Sequence, residues 1–185
     1  MLGTAGNLSA RLPDGSLWVT ASGRDKGALT PADFIRVSAA GAVVQRLDPE
    51  DRPSAETTIH TAIYALYPEA RACLHVHTVS ANLVSRMADE TGRIRLPTLE
   101  MLKGLGRWEA DPCVDIDVLP NHAHVPDIAA QMLAQFRSTP PDTPGFLIRD
   151  HGITAWAPTL RQARNYLELY DYIFRFMVEA RRLGL

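Results

Sequence analysis

Two histidines, His75 and His77, lie one residue apart near the end of the short β-rich segment ACLHVH. Residues i and i+2 of a strand point to the same face, so both imidazoles can reach a single ion. They would supply half of a tetrahedral zinc site, in which histidine nitrogens bind at about 2.0–2.1 Å. His151 is the candidate for a third ligand, because it lies in another predicted strand-to-strand corner before Gly152. The alternative is a pair of histidines that is merely exposed or hydrogen-bonded.

A second pair, His122 and His124, lies in a polar segment before a predicted helix. Loop positions do not impose a common direction on two side chains. We therefore expect this pair to be exposed to solvent or to cap the helix.

Two glutamates are candidates for proton transfer. Glu56 and His60 are four residues apart on a predicted helix and share a face. Glu56 is either a carboxylate directed into a metal site as acid or base, or a first-turn acid stabilised by the helix dipole beside a surface histidine. Glu100 lies between Leu99 and Met101, a pattern that by itself indicates only an element face that meets water.

A group of small polar residues is a candidate anion site. Glycine lets backbone N–H groups approach a phosphate, serine and asparagine side chains donate hydrogen bonds, and lysine adds charge. The residues of this group are Asn7, Ser22, Gly23, Lys26 and Ser54. The same composition is also common in ordinary turns, which is the alternative.

The elements that must position these residues alternate between strand and helix patterns. Strands are predicted in a hairpin over 8–21, at 42–47, at 72–77, as a half-exposed strand around 114–118, and on both sides of 150–152. Helices are predicted from Thr30, from a cap at Ser54 to Pro68, and over 78–88, 125–137 and 159–182. This order predicts an α/β fold in one layered domain over residues 1–185, with a mixed, mostly antiparallel central sheet.

Composition excludes several classes of protein. The chain has 185 residues, 46% of them apolar and 22% charged, and a formal charge of −2, which is typical of a globular protein. The balance disfavours nucleic acid or an acidic membrane surface as partner. Two cysteines are too few for a disulfide framework. With no signal-like start and no membrane-spanning run, a cytoplasmic protein is expected.

These motifs in this order resemble the class II aldolase/adducin family. The segments that carry the resemblance are Gly6-Asn7-Leu8-Ser9, Thr20-Ala21-Ser22-Gly23, Pro53-Ser54-Ala55-Glu56, His75-Val76-His77 and Arg149-Asp150-His151-Gly152. The resemblance implies an α/β/α fold and one divalent metal ion per subunit, usually zinc, held by His75, His77 and His151. It also implies a phosphate pocket built from Asn7, Ser22, Gly23 and Ser54, to which we add Lys26.

Within the family, the chain looks most like dehydratases that act on a methylthio-substituted ketose phosphate in methionine salvage. The carriers are the segments 99–106, 121–126 and 149–156. In those dehydratases a glutamate matching Glu100 is the proposed acid/base, whereas the family's aldolases use the carboxylate at the place of Glu56. An aldolase or epimerase is therefore the alternative, and a non-catalytic adducin-like module a further one. The resemblance also implies a homotetramer with active sites near subunit boundaries.

Overall fold

The computed structural model describes residues 6–185, and the first five residues of the predicted domain lie outside the described part. The described residues form one nine-stranded sheet in the order β4-β3-β2-β1-β5-β9-β8-β7-β6. The strands are β1 (Gly6–Arg11), β2 (Leu17–Thr20), β3 (Phe34–Val37), β4 (Val43–Gln45), β5 (Ala72–Val76), β6 (Arg93–Arg95), β7 (Asp115–Leu119), β8 (Gly145–Ile148) and β9 (Gly152–Ala157). Among these strands only the pair β7–β8 is parallel, so the sheet is mostly antiparallel. Strand β5 is the fifth of the nine strands in this order and therefore lies in the middle of the sheet.

Four α-helices cover the sheet within residues 6–185: α1 (Thr57–Leu66), α2 (Val79–Ser85), α3 (Val125–Ser138) and α4 (Leu160–Leu183). Helix α1 packs beside α3, and α2 packs beside α4. The core divides accordingly, because Cys73 of β5 belongs to one apolar cluster while its neighbours Ala72 and Leu74 belong to the other. The result is a three-layer α/β/α arrangement, which confirms the predicted fold class. None of the described helices is long and apolar enough to cross a membrane.

Two predicted helices differ from the structure at their N-terminal parts. Thr30 does cap a helical turn, as predicted, but this is only the 3₁₀ turn Pro31–Asp33, after which the chain continues as β3, whose residues alternate in burial. The cap of α1 is Glu56 rather than Ser54. The Ser54 hydroxyl instead donates to the Glu56 carboxylate at 2.6 Å, so this serine acts on a side chain and not on the helix end.

The strand around 114–118 is less exposed than its alternating pattern predicted. Asp117 on β7 is buried, accepts a hydrogen bond from Gln135 at 2.8 Å and faces Arg93 on β6 at 3.5 Å. The alternating sequence pattern predicted that Asp117 faces water, because such a pattern contains no information about polar partners from a distant helix or an edge strand.

Candidate metal centre

His75 occupies the centre of the sheet. It lies on β5, paired with Asn7 of β1 on one side and Thr154 of β9 on the other. The imidazole is 1% exposed, and its Nδ1 lies 2.9 Å from the Thr154 hydroxyl. Because this contact occupies Nδ1, the ring is held with Nε2 available to a ligand, as is usual for metal-binding histidines.

His77 and His151 complete a group of three imidazoles. His77 follows β5, and its Nε2 lies 2.9 Å from Nε2 of His75. His151 lies in the tight connection between β8 and β9, where Asp150 has a φ of 53°. The three ring centroids are 4.6–4.9 Å apart.

Glycines on both sides of β5 allow this convergence. A Cβ on Gly6 would meet the carbonyl oxygen of His75, and a Cβ on Gly152 would meet the carbonyl oxygen of Val76. Gly6 also has a φ of 144°, which side-chain-bearing residues rarely adopt. Both neighbouring strands thus approach β5 more closely than any other residue type would permit.

The fourth member of the cluster is Glu56 at the start of α1. Its Oε1 lies 3.6 Å from Nε2 of His151. Its Oε2 accepts hydrogen bonds from Asn7 Nδ2 at 3.0 Å and from Ser54 Oγ at 2.6 Å. The structure therefore supports the interpretation of Glu56 as a carboxylate directed into the site.

The donor set fits a divalent metal ion. One ligand atom from each of Glu56, His75, His77 and His151 lies within 4.8 Å of the others. Ligand atoms around a tetrahedral zinc ion are about 3.3 Å apart, given bonds of about 2.0–2.1 Å, so small movements would close this group on an ion. His151 Nδ1 is buried and has no hydrogen-bond partner among the described residues.

The electrostatics of the cluster favour the protonation states that bind metal. The nearby His151 lowers the pKa of Glu56 well below its ordinary value, and the Ser54 hydroxyl lowers it further. Burial lowers the pKa of His75 far below its ordinary value and also lowers that of His77. An ionised Glu56 beside neutral His75 and His77 is the state in which these three side chains can donate electron pairs to an ion.

The predicted anion-binding residues lie around the Glu56 side of the cluster. An isolated antiparallel bridge joins Ala21 to Pro53, and Ser22 N–H donates to the carbonyl oxygen of Arg52. The exposed turn at Ser22 and Gly23 therefore lies beside the segment that leads to Ser54. Lys26 forms no ion pair within residues 6–185; its Nζ donates to the carbonyl oxygen of Arg24 at 2.6 Å. A half-buried lysine without an ion-pair partner among the described residues, beside a glycine turn, suits an anion.

Glu100 is placed differently from Glu56. It begins a 3₁₀ helix, Glu100–Leu105, and its side chain is 80% exposed and paired with Lys103 at 2.7 Å. It is not part of the cluster formed by Glu56 and the histidines of the same chain. The structure of one subunit therefore does not bring the two predicted catalytic glutamates together.

The rival histidine pair is confirmed as exposed. His122 contacts Gln131 at 2.8 Å, and His124 lies at the start of α3, with its Nδ1 3.1 Å from Asp127. These two imidazoles have separate partners and do not converge.

Two buried residues near the site were not predicted from the sequence. Thr154 orients His75, and only its cross-strand pairing could have indicated this. His60 is fully buried, not the surface neighbour that one interpretation expected, and it contacts Ser9. Its position four residues after Glu56 was the available signal.

Known proteins with similar sequences belong to one family. Residues 1–178 match the model of the class II aldolase and adducin N-terminal domain. A protein of Microcystis aeruginosa named methylthioribulose-1-phosphate dehydratase is 52% identical over 180 residues, which cover 97% of this chain and 87% of that protein. One of the same name from Bacillus pumilus is 41% identical, over 96% of this chain and 83% of its own length.

Solved structures agree with the sequence relatives on the fold. The crystal structure of L-fuculose-1-phosphate aldolase from Thermus thermophilus aligns with a TM-score of 0.76 at 25% identity, covering 98% of this chain and 86% of that one. Together with the match over residues 1–178, these relationships show that the chain belongs to the family of class II aldolases and adducin N-terminal domains.

Proposed function

We propose that the protein is a zinc-dependent dehydratase that converts 5-methylthioribulose 1-phosphate into 2,3-diketo-5-methylthiopentyl 1-phosphate in methionine salvage. The observation that carries this choice is the 52% identity, over almost the whole chain, to a relative named for that dehydratase. The four-residue cluster supports a metal-dependent reaction. Residues 1–185 would act as one domain.

The metal would be held by His75, His77 and His151. A zinc ion there would withdraw electrons from the substrate carbonyl and so make the neighbouring C–H more acidic. Glu56, ionised and already facing His151, can hold a proton at Oε1 while Asn7 and Ser54 hold Oε2.

The phosphate would bind beside the carboxylate. Ser22 and Gly23 contribute the turn, and Lys26 a positive charge without a counter-ion among the described residues. The Ser54 hydroxyl, which donates to Glu56 in this structure, would turn to the phosphate when substrate binds. Asn7 lies between this group and Glu56. Anchoring the C1 phosphate there would hold C3 and C4 near the carboxylates that exchange protons with them.

Water loss needs two proton transfers, which Glu56 and Glu100 would share. Removal of the C3 proton, followed by departure of the protonated C4 hydroxyl as water, gives an enol that becomes the 2,3-diketone. Since Glu100 is exposed and outside its own subunit's cluster, we propose that it serves the site of a neighbouring subunit in a homotetramer.

The test is turnover of 5-methylthioribulose 1-phosphate by metal-replete protein, followed by diketone formation. We expect a chelator to abolish product and zinc to restore it better than magnesium or calcium, because imidazoles prefer zinc. Fuculose 1-phosphate and ribulose 1-phosphate serve as controls. Cleavage of a control substrate without diketone formation would contradict the proposal.

A sugar-phosphate aldolase or epimerase is the second candidate, favoured by the structural similarity to the fuculose-1-phosphate aldolase. The two reactions predict opposite rankings of two conservative variants. Dehydration predicts that Glu100→Gln abolishes activity, with Glu56→Gln less damaging. Aldol cleavage predicts the reverse. The cluster of four ligands argues against a non-catalytic adducin-like module.

A further inference from the structure

A polar seam joins strand β1 to helix α1 beneath the metal cluster. Asn7 and Ser9, on one face of β1, meet residues of α1 that are one turn apart. Asn7 donates to Glu56, and Ser9 Oγ lies 2.6 Å from His60 Nδ1 and 2.8 Å from the Tyr64 hydroxyl. The spacing along β1 matches the spacing along α1. Alternate residues of a strand are about 6.6 Å apart, and residues i and i+4 of a helix are separated by a rise of about 6 Å.

The Ser9 hydroxyl is the centre of a short buried chain of hydrogen bonds. It lies between His60 Nδ1 and the Tyr64 hydroxyl, and the Tyr64 hydroxyl also lies 3.0 Å from the carbonyl oxygen of Ser9, to which it can donate. All three contacts join residues of α1 to the same residue of β1.

His60 is held at Nδ1 by the Ser9 hydroxyl. Its Nε2 is buried and has no partner within the described residues. Burial lowers the pKa of His60 to about 4, which agrees with the neutral state. The ring is 0% exposed, so no solvent molecule at the surface competes for Ser9.

The far end of the seam is closed by Arg11, the next β1 residue on this face. Its guanidinium lies 5.2 Å from the centre of the Tyr64 ring, and Nη1 donates to the Tyr64 carbonyl oxygen at 3.0 Å. Three successive β1 residues on one face therefore hold three successive turns of α1. A purely apolar contact would allow sliding along the strand, whereas directional bonds of this kind do not.

We propose that His60, through the hydrogen bond between its Nδ1 and the Ser9 hydroxyl, is a positioning residue that fixes α1 on β1 and thereby places the Glu56 carboxylate among the three histidines. This rests on the proposed metal-dependent function. His60 itself is not one of the four residues that form the cluster.

Two substitutions separate this role from simple core packing. Asparagine places an amide N–H close to the position of Nδ1, whereas glutamine places one close to the position of Nε2. His60→Asn therefore keeps a hydrogen-bonding group beside Ser9, and His60→Gln loses it, although both remove the aromatic ring. Each variant's zinc affinity is measured by competition with a chromophoric chelator, alongside kcat, KM and thermal unfolding.

We expect zinc affinity to fall by about tenfold or more in His60→Gln, which is the loss typical of removing a residue that supports a metal ligand. In His60→Asn we expect zinc affinity to stay within about threefold of the wild-type value. The kcat should follow the same ranking with little change in KM, because the substrate-binding residues are untouched. If both variants lose thermal stability but keep wild-type zinc affinity and kcat, the network only stabilises the fold and the proposal is wrong.

Tyr64→Phe provides a smaller change should His60→Gln fail to fold. It removes the hydroxyl that contacts Ser9 Oγ, and we expect a reduced zinc affinity; wild-type affinity would overturn the proposal. Tyr67→Phe is the matched control, because the Tyr67 hydroxyl on the same segment has no partner among residues 6–185. Wild-type protein that binds zinc but forms no diketone would contradict the proposed function alone, since the zinc measurements would still decide the role of His60.

Discussion

At the scale of single residues, Glu56 divides its two oxygens between two tasks. Oε2 is held by Asn7 and Ser54, while Oε1 faces His151. Only one oxygen is therefore directed toward an ion or a substrate proton. Hydrogen bonds on the other oxygen stabilise the charged form, which keeps the carboxylate ionised in the resting site.

The neutral state of His60 predicts a loss of stability in acid. Its pKa is about 4 in the folded chain, below the ordinary value of 6.5, so the folded state binds fewer protons than the unfolded state between these values. Stability from this group is complete above about pH 6.5 and falls by about 3 kcal/mol as the pH decreases toward 4.

Urea unfolding across this pH range, with chelator present, measures the effect. His60→Asn lacks a titratable side chain, so we expect its free energy of unfolding to depend less on pH than that of the wild type. Parallel curves for the two proteins would argue against a buried neutral imidazole at this position.

At the scale of elements, the end of β5 is where the site is made. The strand ends at Val76, between Gly6 of β1 and Gly152 of β9, and both glycines approach its carbonyl oxygens. The histidines thus lie where two antiparallel neighbours are closest to the central strand.

Gly152→Ala should damage the site through the backbone. The new Cβ would overlap the Val76 carbonyl oxygen and lie 3.0 Å from Cδ2 of the His77 ring. Because the oxygen belongs to the central strand, we expect β9 to shift, the unfolding temperature to drop, and zinc affinity to fall by tenfold or more, about the loss caused by misplacing a ligand.

Gly184→Ala is the control for that measurement. Gly184 also has a positive φ, of 73°, but nothing lies within 4 Å of its added Cβ. We expect a loss of about 1 kcal/mol from the left-handed backbone and unchanged zinc binding. Equal effects of both alanines would show that crowding at β5 is unimportant.

The sequence predicted elements and faces better than it predicted partners. The alternation around His75 and the helical spacing of Glu56 and His60 follow from local geometry, and both pairs share a face in the structure. Local patterns did not predict strand β3, because the helix-start signal at Thr30 favoured a helix there. They also did not predict that Asp117 is buried. The contacts of His60 with Ser9 join residues from two distant segments, which no periodicity reports.

At the scale of the whole molecule, one of the two proposed catalytic residues lies on the surface of the single chain. Glu100 is 80% exposed, and Trp108 nearby is 72% exposed. On α4, Tyr172 and Phe176 are 52% and 42% exposed. Exposed aromatic side chains of this kind are typical of a surface that another subunit covers.

Mixed oligomers test whether Glu100 acts across subunits. Glu100→Gln and His75→Ala should each be inactive alone. Co-expressed, a Glu100→Gln subunit can supply an intact metal site and a His75→Ala subunit can supply Glu100, so random mixing predicts up to about a quarter of wild-type activity. Activity should be measured per total subunit after purification of the mixed species.

Co-expression of His75→Ala with His77→Ala is the matched control. Both variants damage the same intrachain cluster, so no arrangement of subunits restores a complete site. Rescue confined to the first pair supports a shared site; the absence of rescue in properly mixed oligomers would place Glu100 outside the reaction or within its own subunit's site.

The separation of the cluster's members along the chain has a further consequence. Residues 56, 75, 77 and 151 meet only after β1, β5 and β9 have paired, so an unfolded chain presents at most the two neighbouring histidines to an ion. An ion that binds the native state far better than the unfolded state draws the folding equilibrium toward the native state as its free concentration rises. The supply of metal in the cell would thereby set how long each copy of the protein survives, as well as how many copies are active.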